Sequence, residues 1–257
     1  MIQIWAVTLN SFREAMRDKV LYSLLFFAML MILASLAVAQ MTIGEYEKVL
    51  RDLGLAAISI FGLMIAIFVG IGLVHKEIER KTIYTIVSKP LHRWQFLVGK
   101  FLGLSATLLL QVISMAAAFA LILVFAEAGL HSSLLAAIWL SYTELLVVTA
   151  IALLFSSFSS PVLASMFTIG FTLIGRLSSG LLEFAEQGES SSESFRRFAR
   201  ILYRVVPDLQ TFNVRTAASH EIGVGWEYLG YGTGYAVAWS AALLLIASVI
   251  FHFREFR

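Results

Sequence analysis

Cysteine is absent from the 257 residues, which excludes disulfides, thiolate metal sites and a cysteine nucleophile. Charge is scarce too. Asp, Glu, Lys and Arg make up 14% of the chain against 59% hydrophobic residues, where globular domains run near about 25% and about 45–50%. That balance excludes an ordinary soluble domain and a disordered chain. Catalytic signatures are also missing. Gly99-Lys100 is followed by Phe101 and lacks the earlier glycine of a phosphate loop, and neither a His-Glu-x-x-His site nor a Gly-x-Ser-x-Gly turn occurs. His75, His92, His131, His220 and His252 fall at loop or span-end positions without ligand spacing. No catalytic, cofactor-binding or metal-ligating residue is assigned.

What the chain has instead is length in apolar runs. Segments 20–39, 53–74, 101–126 and 228–253 are uncharged and long enough to cross hydrocarbon, at roughly 20 residues per crossing. Segments 134–155 and 161–182 reach the same length while carrying Glu144 and Arg176 respectively. These predict an all-α integral membrane protein of six transmembrane helices forming one domain over 1–257. Serines 156, 157, 159 and 160 before Pro161 mark a helix stop and restart, which makes spans four and five a tight hairpin. Lys and Arg are more numerous in the loops on the side of the termini and segment 75–100 than on the other side. Both termini are therefore expected in the cytoplasm, with the chain in the inner (cytoplasmic) membrane. Ala37-Val38-Ala39 also fits a signal-peptide cleavage site, but the run before it exceeds the usual 7–15 residue core.

Before the first span, Trp5, Leu9, Phe12 and Met16 recur at helical spacing, with Gln3, Asn10, Arg13 and Arg17 elsewhere around the wheel. This predicts an amphipathic interfacial helix; the alternative is a plain extension of span one. Segment 75–100 is the most informative. Charges cluster in its first half, and Pro90 pushes Lys89 out of the helical region while suiting a helix start itself. Two short helices with a corner are expected. In the second, Leu91, Trp94, Val98 and Phe101 form one face able to rest on the membrane and feed span three. A rigid bend of this kind could transmit force from a soluble motor, or it could be a basic loop that holds anionic lipid.

In this segment Glu77, Glu79, Thr82, Ser88, Pro90, Arg93, Gly99 and Lys100 follow one another. The order resembles the second cytoplasmic segment of ABC-2-type permeases, the membrane subunits of a class of ABC transporters. The Ser-Lys-Pro-Leu-x-Arg wording is similar to the branch linked to multicopper-enzyme maturation. The resemblance implies two membrane subunits, as a homodimer, and two cytoplasmic ATPase subunits that bind ATP and Mg, with no cofactor in this chain. It also implies that those eight residues belong to a coupling helix docked on the ATPase, in an exporter that is not itself an enzyme.

Segment 183–227 starts acidic and serine-rich, then turns amphipathic. Phe198, Leu202 and Val205 repeat at helical spacing among Arg196, Arg197, Arg200 and Arg204, and Pro207 ends the run. Such a helix would bury its rings in the outer leaflet and keep its guanidiniums among headgroups. By resemblance, short re-entrant helices here cap the outer mouth of the pathway, with Phe198, Leu202 and Pro207 as an outer gate; a solvated surface helix is the alternative. Gly223, Gly225, Gly230, Gly232 and Gly234 then permit close approach or a hinge at span six. Two charged side chains, Glu144 and Arg176, and the amide Gln111 lie within spans. A charge at the centre of a membrane helix costs about 2.5–3.5 kcal/mol on insertion scales. Glu144 and Arg176 either pair across the hairpin or face a polar cavity or subunit interface. Expected partners are ABC ATPases, a second permease copy and membrane lipids, with no nucleic acid. A non-transporting scaffold or lipid-binding membrane protein is the rival reading, and an intramembrane hydrolase is disfavoured by the missing motifs. The substrate is not readable.

Overall fold

The computed structural model describes residues 2–41, 44–79, 93–187 and 192–253. Nine α-helices occur among them: α1 (Ile2–Ala15), α2 (Lys19–Gln40), α3 (Tyr46–Glu79), α4 (Arg93–Phe125), α5 (Ser132–Ser156), α6 (Pro161–Gln187), α7 (Glu193–Val205), α8 (Arg215–Ser219) and α9 (Trp226–Phe253). A 3-10 turn, Leu209–Phe212, lies between α7 and α8, and no strand appears among the described residues. Six of the helices, α2 to α6 and α9, are long and apolar enough to cross a bilayer.

Local chemistry sets the breaks. Asp18 ends α1 and starts α2 by accepting the Val20 N–H at 2.9 Å, as an N-cap does. After α5, the Ser157 and Ser159 hydroxyls donate back to the Leu154 and Phe155 carbonyls, and Pro161 opens α6 where its missing N–H costs nothing. The α4–α5 turn uses left-handed backbone at Glu127 and Gly129.

Burial sorts the six long helices into two kinds. In α3 and α5, 61% of the most apolar window is buried, against 22–33% in the other four. Accordingly α3 touches α2, α4, α5 and α6, and α5 also carries α9. The core at this centre includes Ile58, Ile65, Val69, Leu145, Val148 and Ile151. The outer helices leave side chains such as Phe26, Leu33, Met166 and Leu245 exposed, flanks whose natural solvent is hydrocarbon.

From Arg93 onward the second helix of segment 75–100 is continuous with span three, as the opening of α4. It buries Phe96, Leu97 and Lys100, while Trp94 is exposed and Val98 and Phe101 are half-buried. Nothing in 93–125 breaks a helix, because Gly99 and Gly103 are matched to a neighbour: a Cβ at 99 would lie 2.7 Å from Val7, and one at 103 would lie 2.7 Å from the Thr8 carbonyl. This Gly-x-x-x-Gly notch lets α1 lie directly on α4. The buried face of α1 is therefore Ser11 and Ala15, while Trp5 and Leu9 look outward.

Candidate functional site

At the end of the bundle that carries α1, two acidic residues of one corner reach the two helices flanking segment 80–92. Asp18 takes Lys76, near the end of α3, at 2.5 Å, and Glu14 lies 3.6 Å from Lys100, on the second turn of α4. Lys100 is fully buried, with its ammonium 5.8 Å from the Phe96 ring centre. Burial alone would raise the Asp18 carboxyl; hydrogen bonds from Lys76 and the Val20 N–H, with the Lys76 charge, outweigh it and hold the group below its ordinary value. Glu77 and Glu79 fall on the last turn of α3 and Arg93 opens α4, whereas Thr82, Ser88 and Pro90 lie outside the described residues. Gly99 and Lys100 are covered by α1, so a part in coupling would run through α1 and not through an open docking surface.

Midway along the bundle, α5 and α6 bring Glu144 and Arg176 together: Arg176 Nε donates to Glu144 Oε1 at 2.8 Å and Nη2 to Ser59 Oγ on α3 at 3.1 Å. Three spans are thus joined by one guanidinium, with the Glu144 side chain 6% exposed. Gln111 is buried in α4 but does not line the cavity beside this pair, and its side-chain oxygen has no hydrogen-bond partner among the described residues.

The chain after α6 turns back along it. Phe195 meets Phe184 near the start of α7, and by 207–209 the chain has reached Gly175, where a Cβ would stand 2.8 Å from the Pro207 carbonyl. Gly175 is nine residues back from Phe184, about 13.5 Å along α6 at 1.5 Å per residue. The segment between α7 and α9 is therefore re-entrant, not a helix confined to the surface. Irregular backbone at such depth survives only when buried and satisfied. Here Tyr235 Oη accepts the Asp208 N–H at 2.8 Å, Tyr228 Oη donates to the Thr211 carbonyl at 2.6 Å, and Arg215 Nε sits 2.8 Å from Asp52. Of the expected gate residues, Pro207 is buried, Leu202 half-buried and Phe198 exposed at 59%. In α9, Gly232 accommodates Leu140, while Gly230 and Gly234 face open space.

Below this, a cavity of about 110 Å³ lies between α3, α5, α6 and the re-entrant chain, with Ser59, Ser141, Glu144, Arg176, Gln210, Asn213 and Arg215 in its wall. At the far end, Arg51 is 2% exposed and binds Glu47 at 2.9 Å, Glu221 at 2.5 Å and the Ala128 carbonyl. Glu221 also lies 3.3 Å from His131. This latch joins α3, the α4–α5 turn and the end of the re-entrant segment. In sequence Arg51 falls among the charges of the loop between spans one and two. The signal was the Glu47–Arg51 spacing of four, which places both on one helix face.

Compared with models of known families, residues 5–253 match the one described as ABC-2 family transporter protein. Among curated proteins, none matches the chain.

Proposed function

Since the chain belongs to the ABC-2 transporter family, we propose that it is the membrane subunit of an ATP-driven exporter that works as a homodimer with two cytoplasmic ATPase subunits. Family membership and the six long apolar helices make it a multi-pass permease subunit associated with ABC ATPases. Exporter direction, pairing with a second copy and residence in the inner membrane with both termini cytoplasmic belong to the proposal, the last supported by the bias of basic residues.

The observation that carries the reading is the overhang of α3 and α4. At 34 and 33 residues they run about 50 Å each, against about 30 Å of hydrocarbon. Toward segment 80–92 α4 overhangs by eight residues and α3 by five, with seven more of α3 at its other end, since their apolar stretches begin at 101 and run from 53 to 74. A segment held on two stiff legs is suited to passing a push from a soluble motor into spans two and three. In this scheme ATP binding draws the motors together, segment 78–94 passes that movement to α3 and α4, and the pathway between subunits opens outward.

Affinity purification of the full chain co-expressed with its cognate ATPase tests this. A stoichiometric ATPase is expected to co-purify, and E79A/R93A is expected to insert normally while losing retention and stimulation of the ATPase. Unchanged retention and stimulation overturns the coupling role. A wild-type chain that captures no nucleotide-binding subunit favours the rival reading of a lipid-binding scaffold.

A further inference from the structure

We propose that the cavity under the re-entrant chain is a binding site for a small oxyanion, held between the guanidiniums of Arg176 and Arg215. Two guanidiniums share its wall with one carboxylate, Glu144, and Asp52, which is not in that wall, lies against Arg215, so what the chamber offers a ligand is a set of N–H donors rather than excess positive charge. Among the described residues Arg176 makes two hydrogen bonds, to Glu144 and to Ser59. A guanidinium has five N–H donors in a planar fork, so three remain for a ligand. Arg215 Nε lies 2.8 Å from Asp52 as an ion pair without hydrogen-bond geometry, and Arg215 lines the chamber. Gln210 and Asn213 add amide donors from the chain above.

Paired guanidiniums fit a group with two or more oxygens better than a single-atom halide, because each fork can bind in parallel. Size agrees. A water needs about 10–15 Å³ of such space, so about 110 Å³ takes one compact anion, such as sulfate or phosphate, or several waters. A lipid headgroup still bearing its acyl chains does not fit beneath the re-entrant backbone. Glu144 keeps its place in this scheme: it neutralises part of the charge that an empty chamber would otherwise bury. The proposal deepens the transport reading by placing an oxyanion within the permease, yet the binding itself does not need that reading.

The test is thermal unfolding and isothermal titration of the purified full chain in neutral detergent. The probes are sodium sulfate, sodium phosphate and sodium chloride at matched ionic strength, with dihexanoyl phosphatidic acid as a lipid-headgroup arm. Sulfate or phosphate is expected to bind saturably and raise the unfolding midpoint where chloride does not. R215Q, at a partly exposed position that leaves the Glu144 pair intact, is expected to bind at least roughly tenfold more weakly, as for loss of one charge-assisted contact. R176K keeps the ion pair while removing the fork and is expected to weaken binding as well. Absence of saturable binding, equal binding by R215Q, or binding of phosphatidic acid alone overturns the proposal. Anion binding by a chain that captures no ATPase would leave the chamber standing and remove the transport reading.

Discussion

The polar centre at Glu144–Arg176 and the corner at Glu14–Asp18 are both made of ion pairs, yet they are built for different work. In the centre, the carboxylate is buried and the guanidinium shared among three helices. At the corner each pair also has one buried member, Asp18 or Lys100, but Lys76 is 46% exposed and the Glu14–Lys100 distance is 3.6 Å. Breaking a buried pair strands a charge, whereas a long contact, or a pair with one member open to water, loses less when it separates. The difference assigns the centre to fixed architecture and the corner to a joint that can let go. Such a joint sits where motion from segment 80–92 would enter.

The largest effect expected from pulling these regions apart is at the centre. E144A or R176A alone should destabilise the chain by about 3–5 kcal/mol, seen as loss of folded protein in detergent or a much lower unfolding midpoint. The charge-swapped E144R/R176E should recover a substantial part, and failure to do so would mean the pair is not the unit that matters.

Next comes the notch under α1. G103V must push against the Thr8 carbonyl and Phe12 N–H, an overpacking cost of about 1–3 kcal/mol. Cross-linking between cysteines placed on α1 and α4 should fall while the six-span core stays folded. Removing the far latch with R51Q should act in a similar range, about 1.5–3 kcal/mol for a hydrogen bond to a charged group. Its signature should be faster proteolysis around Glu221 with the centre unchanged.

The smallest effect is at Asp18. Its carboxyl is held below the ordinary 3.8, so the pair with Lys76 contributes fully above that pH and is lost as pH falls through the lowered value. Acid should therefore loosen the wild-type corner below pH 3.8, and D18N should remove that part of the pH dependence while costing at most about 1 kcal/mol at neutrality. A large neutral-pH effect would show that the corner is architecture after all.

Six spans were legible because an apolar run of spanning length has one physical reading, and the stop at Ser157–Ser160 was legible because serine and proline act locally. Helix ends were less so: α3 begins seven residues before its apolar stretch and α4 eight residues before its own, since charged residues continue a helix as readily as they end a span. The depth of 207–215 was legible only through the family resemblance, which implied re-entrant helices, and not from any local pattern. It depends on Gly175 meeting Pro207 across more than thirty residues of chain, a contact that no local pattern encodes. The same holds for Lys100, whose neighbours in sequence suggest a docking surface while its neighbours in space are α1 and Phe96.

Position 175 holds nothing but a hydrogen where the returning chain rests on α6. A single added methyl there would act as a doorstop, making Pro207 and Leu209 ride higher and leaving a gap above Arg176. How tightly the chamber is roofed is thus set by the smallest side chain available, and a G175A variant would show what the protein does with its roof propped ajar.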